Sequence, residues 1–292
     1  MPSHELYGYS PIYERRPLQW PGGKKLAVYV GLNIEHFPAG KEATSISSST
    51  VGLFPDPLNQ GWRDYGLRIG IWRIVESLDR HGLKASALLN SAVCDQYPQV
   101  IAAGNARAWA WIAHGRDNAT FQTGMTHDQE VAYLSEVIET IESHTGVRPR
   151  GWLGPALTET PATPSILAGL GLSYVLDWCA DDQPFHLNVP GMISVPYSIE
   201  VNDIRMVGGG YSGPEFLQMV IDQYEQLSKD SHAHARVMSL SLHPFIIGQP
   251  FRHKYLDLAL EFLAQQPDVW LTTSDEIATH YLSEFPSAVS ES

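Results

Sequence analysis

Leu26-Ala27-Val28-Tyr29-Val30-Gly31-Leu32-Asn33-Ile34-Glu35-His36 is the stretch that decides the fold. It begins as an apolar run rich in β-branched and aromatic side chains, which favours a strand covered on both faces over a surface helix. It ends on a carboxylate next to an imidazole, and Pro38 and Gly40 indicate a turn directly downstream. Catalytic groups of α/β proteins collect at the carboxyl ends of parallel strands. Glu35 and His36 are therefore the first candidate pair for an active site, and a capping carboxylate beside a surface histidine is the alternative.

The composition is that of an acidic globular protein. The 292 residues are enough for one large α/β domain or two small ones; they are 43% hydrophobic and carry a formal net charge of −13. Lys and Arg form no cluster, which argues against nucleic acid and anionic membranes as partners. We see neither a signal-peptide pattern nor an apolar run approaching the roughly 18 residues of a membrane span. The two cysteines, Cys94 and Cys179, lack metal-site spacing, so a reduced, cytoplasmic location is expected.

After the first strand, the chain follows a repeating strand-helix rhythm. This rhythm predicts about seven parallel strands, most of them followed by a helix, and a sheet closed as a (β/α) barrel. We expect one hydrolase domain over residues 1–292, with a proline-rich, aromatic N-terminal arm over residues 1–25 and a Ser/Thr-rich lid loop at about 37–65. The segment 208–210 is glycine-rich but lacks dinucleotide-binding spacing, so nucleotide binding is not expected.

Ionisable side chains follow four of the predicted strands. They are Glu35 with His36, His114, Asp177 with Asp181 and Asp182, and His243. In a parallel barrel these strand ends lie on one face, and the same chemistry at several strand ends is hard to explain by packing. A carboxylate base, an imidazole acid and a carboxylate that orients the imidazole together make a hydrolytic site. We predict Glu35 as the base and His243 as the acid, oriented by Asp181 or Asp182.

At these residues the chain resembles the polysaccharide deacetylase (NodB-type) superfamily, most closely the branch with the cofactor-independent allantoinases and the bacterial cyclic imide hydrolases (imidases). The similar motifs are Asn33-Ile34-Glu35-His36, His114-Gly115-Arg116-Asp117-Asn118, Arg150-Gly151-Trp152-Leu153-Gly154-Pro155, Asp177 to Pro184, and Leu240-Ser241-Leu242-His243. Pro196-Tyr197-Ser198, Asn202-Asp203 and the opening Leu6 to Pro11 are similar to the same branch. The resemblance covers the chain from Leu26 to the last helix. It implies a distorted (β/α) barrel and a homotetramer.

The departures from the deacetylase motifs concern the metal. A deacetylase zinc site takes one Asp and two His, and the corresponding positions here carry His36, His114 and Asn118. Asparagine is a poor zinc ligand beside His and Cys. We therefore expect a metal-independent enzyme without a cofactor, and zinc held by those three residues is the alternative.

The resemblance predicts a hydrolase that opens the ring of a small cyclic imide or ureide, such as a succinimide or hydantoin, at a C–N bond. The residues assigned to catalysis are Glu35, His36, His114, Asp181, Asp182 and His243. The two histidines His36 and His114 would replace the metal by donating hydrogen bonds to the developing oxyanion or the second carbonyl. The residues assigned to substrate binding are Asn33, Trp152, Gly154, Pro155, Trp178 and Tyr197, although both tryptophans suit a core role equally well. A metal-dependent polysaccharide or amino-sugar N-deacetylase and a non-catalytic ligand-binding relative remain the alternatives.

Overall fold

The computed structural model describes residues 5–286 and is built on one nine-stranded sheet. Its strands are β1 (Leu26–Ile34), β2 (Ala85–Leu89), β3 (Ala110–Ala113), β4 (Gly151–Trp152), β5 (Tyr174–Val175), β6 (Phe185–His186), β7 (Ile193–Ser194), β8 (Arg236–Leu242) and β9 (Val269–Leu271). They are ordered β6-β7-β5-β4-β3-β2-β1-β8, and β9 pairs with β1. Every pairing is parallel except that of β6 with β7.

Helices connect most of the strands. They are α1 (Pro57–Tyr65), α2 (Ile71–His81), α3 (Ala92–Gln96), α4 (Pro98–Ala106), α5 (His127–Thr145), α6 (Thr163–Gly169), α7 (Gly213–Asp230), α8 (Pro250–Ala264) and α9 (Ser274–Glu284). The predicted stop of α2 at Gly82 and the predicted capping box at the start of α5 are confirmed. Between residues 5 and 286, none of the helices combines the length and the apolar character needed to cross a membrane.

Strand β1 lies at the centre of the sheet and is buried along its whole length. Alternate residues contribute to two separate cores, as the two-residue period of a strand requires. Leu26 and Val28 belong to the core beneath the helices, whereas Ala27 and Tyr29 pack inside the barrel with residues from most of the other strands. Glu35 follows the inward-facing series just beyond the end of the strand.

The sheet curls into a distorted (β/α) barrel, which confirms the predicted fold class. The segment after β7 reaches β8 through a single parallel bridge between Asn202 and Ser241. The sheet has eight strands in parallel pairings, against about seven predicted, and the short β6 adds an antiparallel edge that was not predicted. The bridge is important for the site because it carries the chain directly past the carboxyl end of β8.

The predicted lid loop is more ordered than expected over its second half. Helix α1 begins after Asp56, whose side chain accepts a hydrogen bond from the backbone N–H of Asn59, and Pro57 occupies the first turn. Asn59 is fully buried and hydrogen bonds to both Ser47 and Thr50 of the Ser/Thr-rich part. The expectation of a loop up to Tyr65 was therefore wrong for residues 57–65, because the capping signal at Asp56-Pro57 was overlooked.

The N-terminal arm packs along the barrel over its described part. The backbone carbonyls of Glu5 and Leu6 accept hydrogen bonds from Asn188, and the indole N–H of Trp20 donates to the carbonyl of Arg236. Residues 1–4 of the predicted arm lie outside the described residues. These contacts tie the arm to the connection between β6 and β7 and to the first residue of β8.

The loop after β8 is held against a π-helical turn, Gly66–Gly70, that precedes α2. A Cβ at Gly70 would lie only 2.0 Å from the carbonyl oxygen of Pro244, so only glycine allows this approach. Because Pro244 directly follows His243, this close contact fixes the backbone on which the histidine stands.

Candidate active site

Glu35 stands at the carboxyl end of β1 and is the centre of a buried polar cluster. One carboxylate oxygen, Oε1, lies 2.7 Å from Nδ2 of Asn118, 3.4 Å from Nε2 of His114 and 3.8 Å from Nε2 of His243. The other oxygen, Oε2, is buried and has no hydrogen-bond partner in the described part of the chain. The structure therefore brings three of the predicted motifs, from β1, β3 and β8, to one carboxylate.

The surroundings of Glu35 favour its ionised form. Burial is the strongest influence and would raise the pKa, but the charge of His243 and the hydrogen bonds of His114 and Asn118 together outweigh it. The pKa of Glu35 is consequently lower than that of an ordinary glutamate. At neutral pH, the side chain is a carboxylate that can accept a proton.

His243 is oriented by Asp203, which is completely buried. The Nδ1–H of His243 donates to Oδ1 of Asp203 over 2.6 Å, and Oδ2 accepts the backbone N–H groups of His243 at 2.8 Å and Ile247 at 3.2 Å. Burial opposes the charged imidazole, but the charges of Asp203 and Glu35 outweigh it and raise the pKa of His243. The Nε2–H of a protonated His243 thus points towards Glu35.

The prediction that Asp181 or Asp182 orients His243 was wrong. Asp181 forms a two-pronged ion pair with Arg15 of the N-terminal arm, at 2.9 and 2.5 Å. Asp182 lies 3.6 Å from Nε of Arg236, at the start of β8 and far from the strand end that carries His243. The loop after β5 contacts the N-terminal arm and the amino end of β8, so both carboxylates lie away from His243 at the carboxyl end of β8.

His114 is fixed by hydrogen bonds at both nitrogens. Its Nδ1 lies 2.7 Å from the carbonyl oxygen of Leu153, which can only accept, so Nδ1 carries a proton. Its Nε2 lies 3.4 Å from Oε1 of Glu35, so both ring nitrogens contact buried oxygen atoms. The following residue, Gly115, has φ +69, and a Cβ there would lie 2.6 Å from Pro155, so glycine is required for this turn.

His36 was predicted in the catalytic group, but its ring contacts Gln96 instead, with Nε2 3.4 Å from the amide nitrogen. The backbone of His36, rather than its ring, contacts the residues of the site. The N–H donates to Oδ1 of Asn90, and the carbonyl accepts the backbone N–H of Asn118 over 3.0 Å. Asn90 also donates to the carbonyl of His114, so this fully buried residue ties the ends of β1 and β3 together.

Two of the predicted substrate-binding residues meet beside Glu35. Nδ2 of Asn33 donates to the hydroxyl of Tyr197 over 3.0 Å and to the carbonyl of Leu242. Burial, followed by weaker effects that include the charges of Glu35 and Asp203, raises the pKa of Tyr197. Tyr197 therefore keeps its proton and remains a hydrogen-bond donor.

The two tryptophans predicted to stack on the substrate, Trp152 and Trp178, lie in different environments. Trp152 is completely buried in the core between sheet and helices, on the outer face of the barrel, so its assignment to substrate binding was wrong and the core alternative holds. Its neighbour Leu153 faces the barrel interior instead. Trp178 is partly buried and donates to Oε2 of Glu159, and its ring packs edge-on against Tyr7 at 5.6 Å.

The predicted contact residues Gly154 and Pro155 lie on a tight turn held by Asp177. The backbone N–H of Gly154 donates to Oδ1 of Asp177 over 2.7 Å. Burial raises the pKa of Asp177 well above its usual value and raises that of its neighbour Glu159 to about 7. We did not anticipate Glu159 from the sequence, because it lies in a loop without motif character.

Asn118 and Asp203 were the other residues whose importance was underestimated. Asn118 was considered only as a metal ligand, yet it makes the shortest contact to Glu35. Asp203 was noted only through the resemblance of Asn202-Asp203. It lies on a 3-10 turn, Asp203–Met206, that no recognisable strand precedes, so no strand-end pattern marks it.

The residues at the deacetylase zinc position do not fit that metal. Nε2 of His114, the nitrogen that a metal would need, faces Glu35, and the amide nitrogen of Asn118 is bound to the same carboxylate. His36 contacts Gln96. Across residues 5–286, no three His, Cys, Asp or Glu side chains are grouped so that they could hold a metal ion. Zinc prefers nitrogen and sulfur ligands in a tetrahedral set, which this chemistry does not offer.

A cavity of about 1000 Å³ lies beside the barrel but is not lined by Glu35, His114 or His243. The N-terminal arm, the loop with Asp181 and Asp182, and the middle of β8 form its walls, and Tyr197 borders it. We place the chemistry at the polar cluster rather than in this cavity, because the base Glu35 and the acid His243, whose pKa values are shifted in opposite directions, meet there.

Comparison with known proteins agrees with this geometry. Residues 63–175 match the family described as Polysaccharide deacetylase. A putative polysaccharide deacetylase of Schizosaccharomyces pombe is 23% identical over 303 residues, which span 91% of this chain and 93% of that protein. The crystal structure of Puue allantoinase is 25% identical with a TM-score of 0.83, and covers 96% of this chain and 99% of its own. A probable polysaccharide deacetylase from Pseudomonas aeruginosa PAO1 has a TM-score of 0.84 at 24% identity, with the same coverage.

A distorted barrel with a carboxylate and histidines at its strand ends defines a hydrolase fold of the deacetylase type. The chain is thus similar to the polysaccharide deacetylases in sequence over residues 63–175 and to an allantoinase in its fold, which agrees with the resemblance to the NodB-type superfamily.

Proposed function

We propose that the protein hydrolyses one C–N bond of a small cyclic imide or ureide and thereby opens the ring, without a metal. The observation that carries this proposal is the buried pair of Glu35 and His243. Its members have pKa values displaced in opposite directions, one below and one above the usual value. A base and an acid that are both in their working forms near neutral pH are what hydrolysis of a C–N bond requires.

The proposed reaction has two proton transfers. Glu35 takes a proton from a water molecule as the water oxygen bonds to a ring carbonyl carbon. His243 then gives its Nε2 proton to the ring nitrogen as the C–N bond breaks, so that nitrogen leaves as a neutral amide. Glu35 returns its proton to the solvent and His243 regains one, and an imide has become a half-amide acid. Asp203 keeps the imidazole oriented and favours its charged form throughout.

Hydrogen-bond donors around Glu35 support stabilisation of the oxyanion that forms on the attacked carbonyl. We assign this task to His114, whose Nε2 faces Glu35, and to the hydroxyl of Tyr197. Both belong to the buried set, where water screens them weakly and a hydrogen bond to a developing charge has its greatest effect.

Aromatic side chains beside His243 support a dry pocket. The ring of Phe245 packs against His243 at 5.7 Å between ring centres, and Phe37 and Trp62 contact Phe245 edge-on at 5.4 and 4.8 Å. Trp62 belongs to α1, within the predicted lid. A small neutral ring suits such a wall better than a hydrated polysaccharide, which favours the cyclic substrate.

Substrate comparison with a matched pair of variants tests the proposal. We expect the protein to open succinimide, hydantoin or allantoin, and Glu35→Gln to lose about 10²- to 10⁴-fold in kcat. Glu136→Gln is the control, because Glu136 lies exposed on α5, where it pairs with Arg116. Release of acetate from N-acetylated sugars with no ring opening would instead establish the deacetylase alternative. Binding without turnover of either class would establish the non-catalytic one.

We propose a cytoplasmic homotetramer, on the basis of the resemblance and the aromatic arm. Sedimentation of the purified full-length chain tests the assembly, and a monomer at micromolar concentration would contradict it.

A further inference from the structure

Two hydrogen-bond acceptors in the site are buried and unsatisfied. Oε2 of Glu35 and Oδ1 of Asn118 have no partner among residues 5–286, although Oε1 of Glu35 and Nδ2 of Asn118 are bonded to each other over 2.7 Å. Buried polar atoms are almost always paired in folded proteins. These two neighbouring acceptors can therefore take hydrogen-bond donors from water or from a ligand that enters the site.

The direction of Asn118 is fixed by its surroundings. A carboxylate cannot donate, so the amide nitrogen must face Glu35, which leaves the carbonyl oxygen of the side chain as the free end. The backbone N–H of Asn118 is bonded to the carbonyl of His36. The preceding Asp117 is buried and accepts from the backbone of Ala119 and the hydroxyl of Thr120, so the turn cannot swing easily. Oδ1 is thus a preoriented acceptor.

We infer that Asn118 is a specificity-determining residue whose Oδ1 accepts the N–H of the substrate ring, so that the enzyme takes rings with an unsubstituted nitrogen. This inference rests on the proposed function. Of the two orphan acceptors, Oε2 of Glu35 receives the attacking water, and Oδ1 of Asn118 receives the single donor that an imide ring has. A substituent on the nitrogen removes that donor, places an alkyl group against Oδ1, and leaves the buried oxygen unpaired.

The test compares kcat/KM for succinimide with that for N-methylsuccinimide. In the wild-type protein we expect succinimide to be favoured about 10- to 100-fold, the effect of leaving a buried acceptor unpaired. In Asn118→Ala, both rates fall because Glu35 loses a hydrogen bond, but the ratio between the two rings drops to about 1–3, since no acceptor remains to be left unpaired. Glu136→Gln, at an exposed position of α5, is the control and keeps the wild-type ratio.

The wild-type protein alone gives a second measurement that does not depend on folding of a variant. N-methylsuccinimide should inhibit succinimide hydrolysis with a Ki at least about 10-fold above the KM of succinimide. Equal kcat/KM for the two rings, or a Ki equal to that KM, overturns the role of Asn118 and leaves ring hydrolysis standing. Failure of the wild-type protein to open any unsubstituted ring overturns the proposed function and this inference with it.

Discussion

Replacing Asp203 by Asn tests whether Asp203, rather than the predicted Asp181 or Asp182, orients His243. Three N–H groups converge on Asp203, from the ring and backbone of His243 and the backbone of Ile247. An asparagine offers one acceptor oxygen and turns a donating NH2 towards the rest, so at least one buried N–H loses its partner. The expected cost in the free energy of unfolding is about 1–3 kcal/mol. The change in kcat should be larger, about 10²- to 10⁴-fold, because His243 loses both its orientation and the charge that keeps it protonated.

The assay is the pH dependence of kcat for succinimide, together with urea unfolding. Because Asp203 raises the pKa of His243, the alkaline limb of the profile should move to lower pH in Asp203→Asn. Asp181→Asn is the control, since Asp181 pairs with Arg15 at the arm. We expect it to keep kcat and the pH profile of the wild type. An Asp203→Asn protein with unchanged kcat and alkaline limb, or an equally inactive Asp181→Asn protein, would refute the reasoning.

Three further predictions follow from the site and its surroundings. As the pH increases, kcat of the wild-type protein should rise around the pKa of Glu35, which lies below the usual glutamate value, and fall around the pKa of His243, which lies above the usual histidine value. A kcat that already declines when the pH is lowered below about 6 would contradict this prediction. Trp152→Ala should lower the free energy of unfolding by about 3–5 kcal/mol with an unchanged KM for succinimide, measured by urea unfolding and kinetics, because the ring is core; a raised KM with intact stability would restore the stacking role. The double variant His36→Asp with Asn118→His has the one Asp and two His of a deacetylase zinc site, and elemental analysis should find zinc bound to it. An equal amount of zinc in the wild-type protein would show that its own residues also hold the metal.

The barrel and half of the site could be predicted from the sequence because they depend on local patterns. The apolar run of β1 and the strands that end on His114 and His243 identify their own ends. Once parallel strands are assumed, their carboxyl ends must meet, and Glu35 does meet both histidines. Contacts between three distant segments were thus implied by one topological rule.

The remaining parts of the site depend on long-range geometry that no local pattern carries. Asp203 reaches His243 only because the chain after β7 pairs with β8 at Asn202. Asp181 pairs instead with Arg15 of the N-terminal arm, 166 residues earlier in the chain. Trp152 stands on a strand of two residues, too short for alternation to show which side faces the barrel. Likewise, the amide of Asn118 could not be recognised as a partner of Glu35 until the turn after β3 was known.

Elemental analysis combined with imide hydrolysis before and after chelation is the most direct test of metal-free ring opening by Glu35 and His243. The account predicts less than stoichiometric zinc in the active protein, and an unchanged rate of succinimide hydrolysis after treatment with a strong chelator. Stoichiometric zinc, together with activity that is lost on chelation and restored by adding the metal, would contradict it.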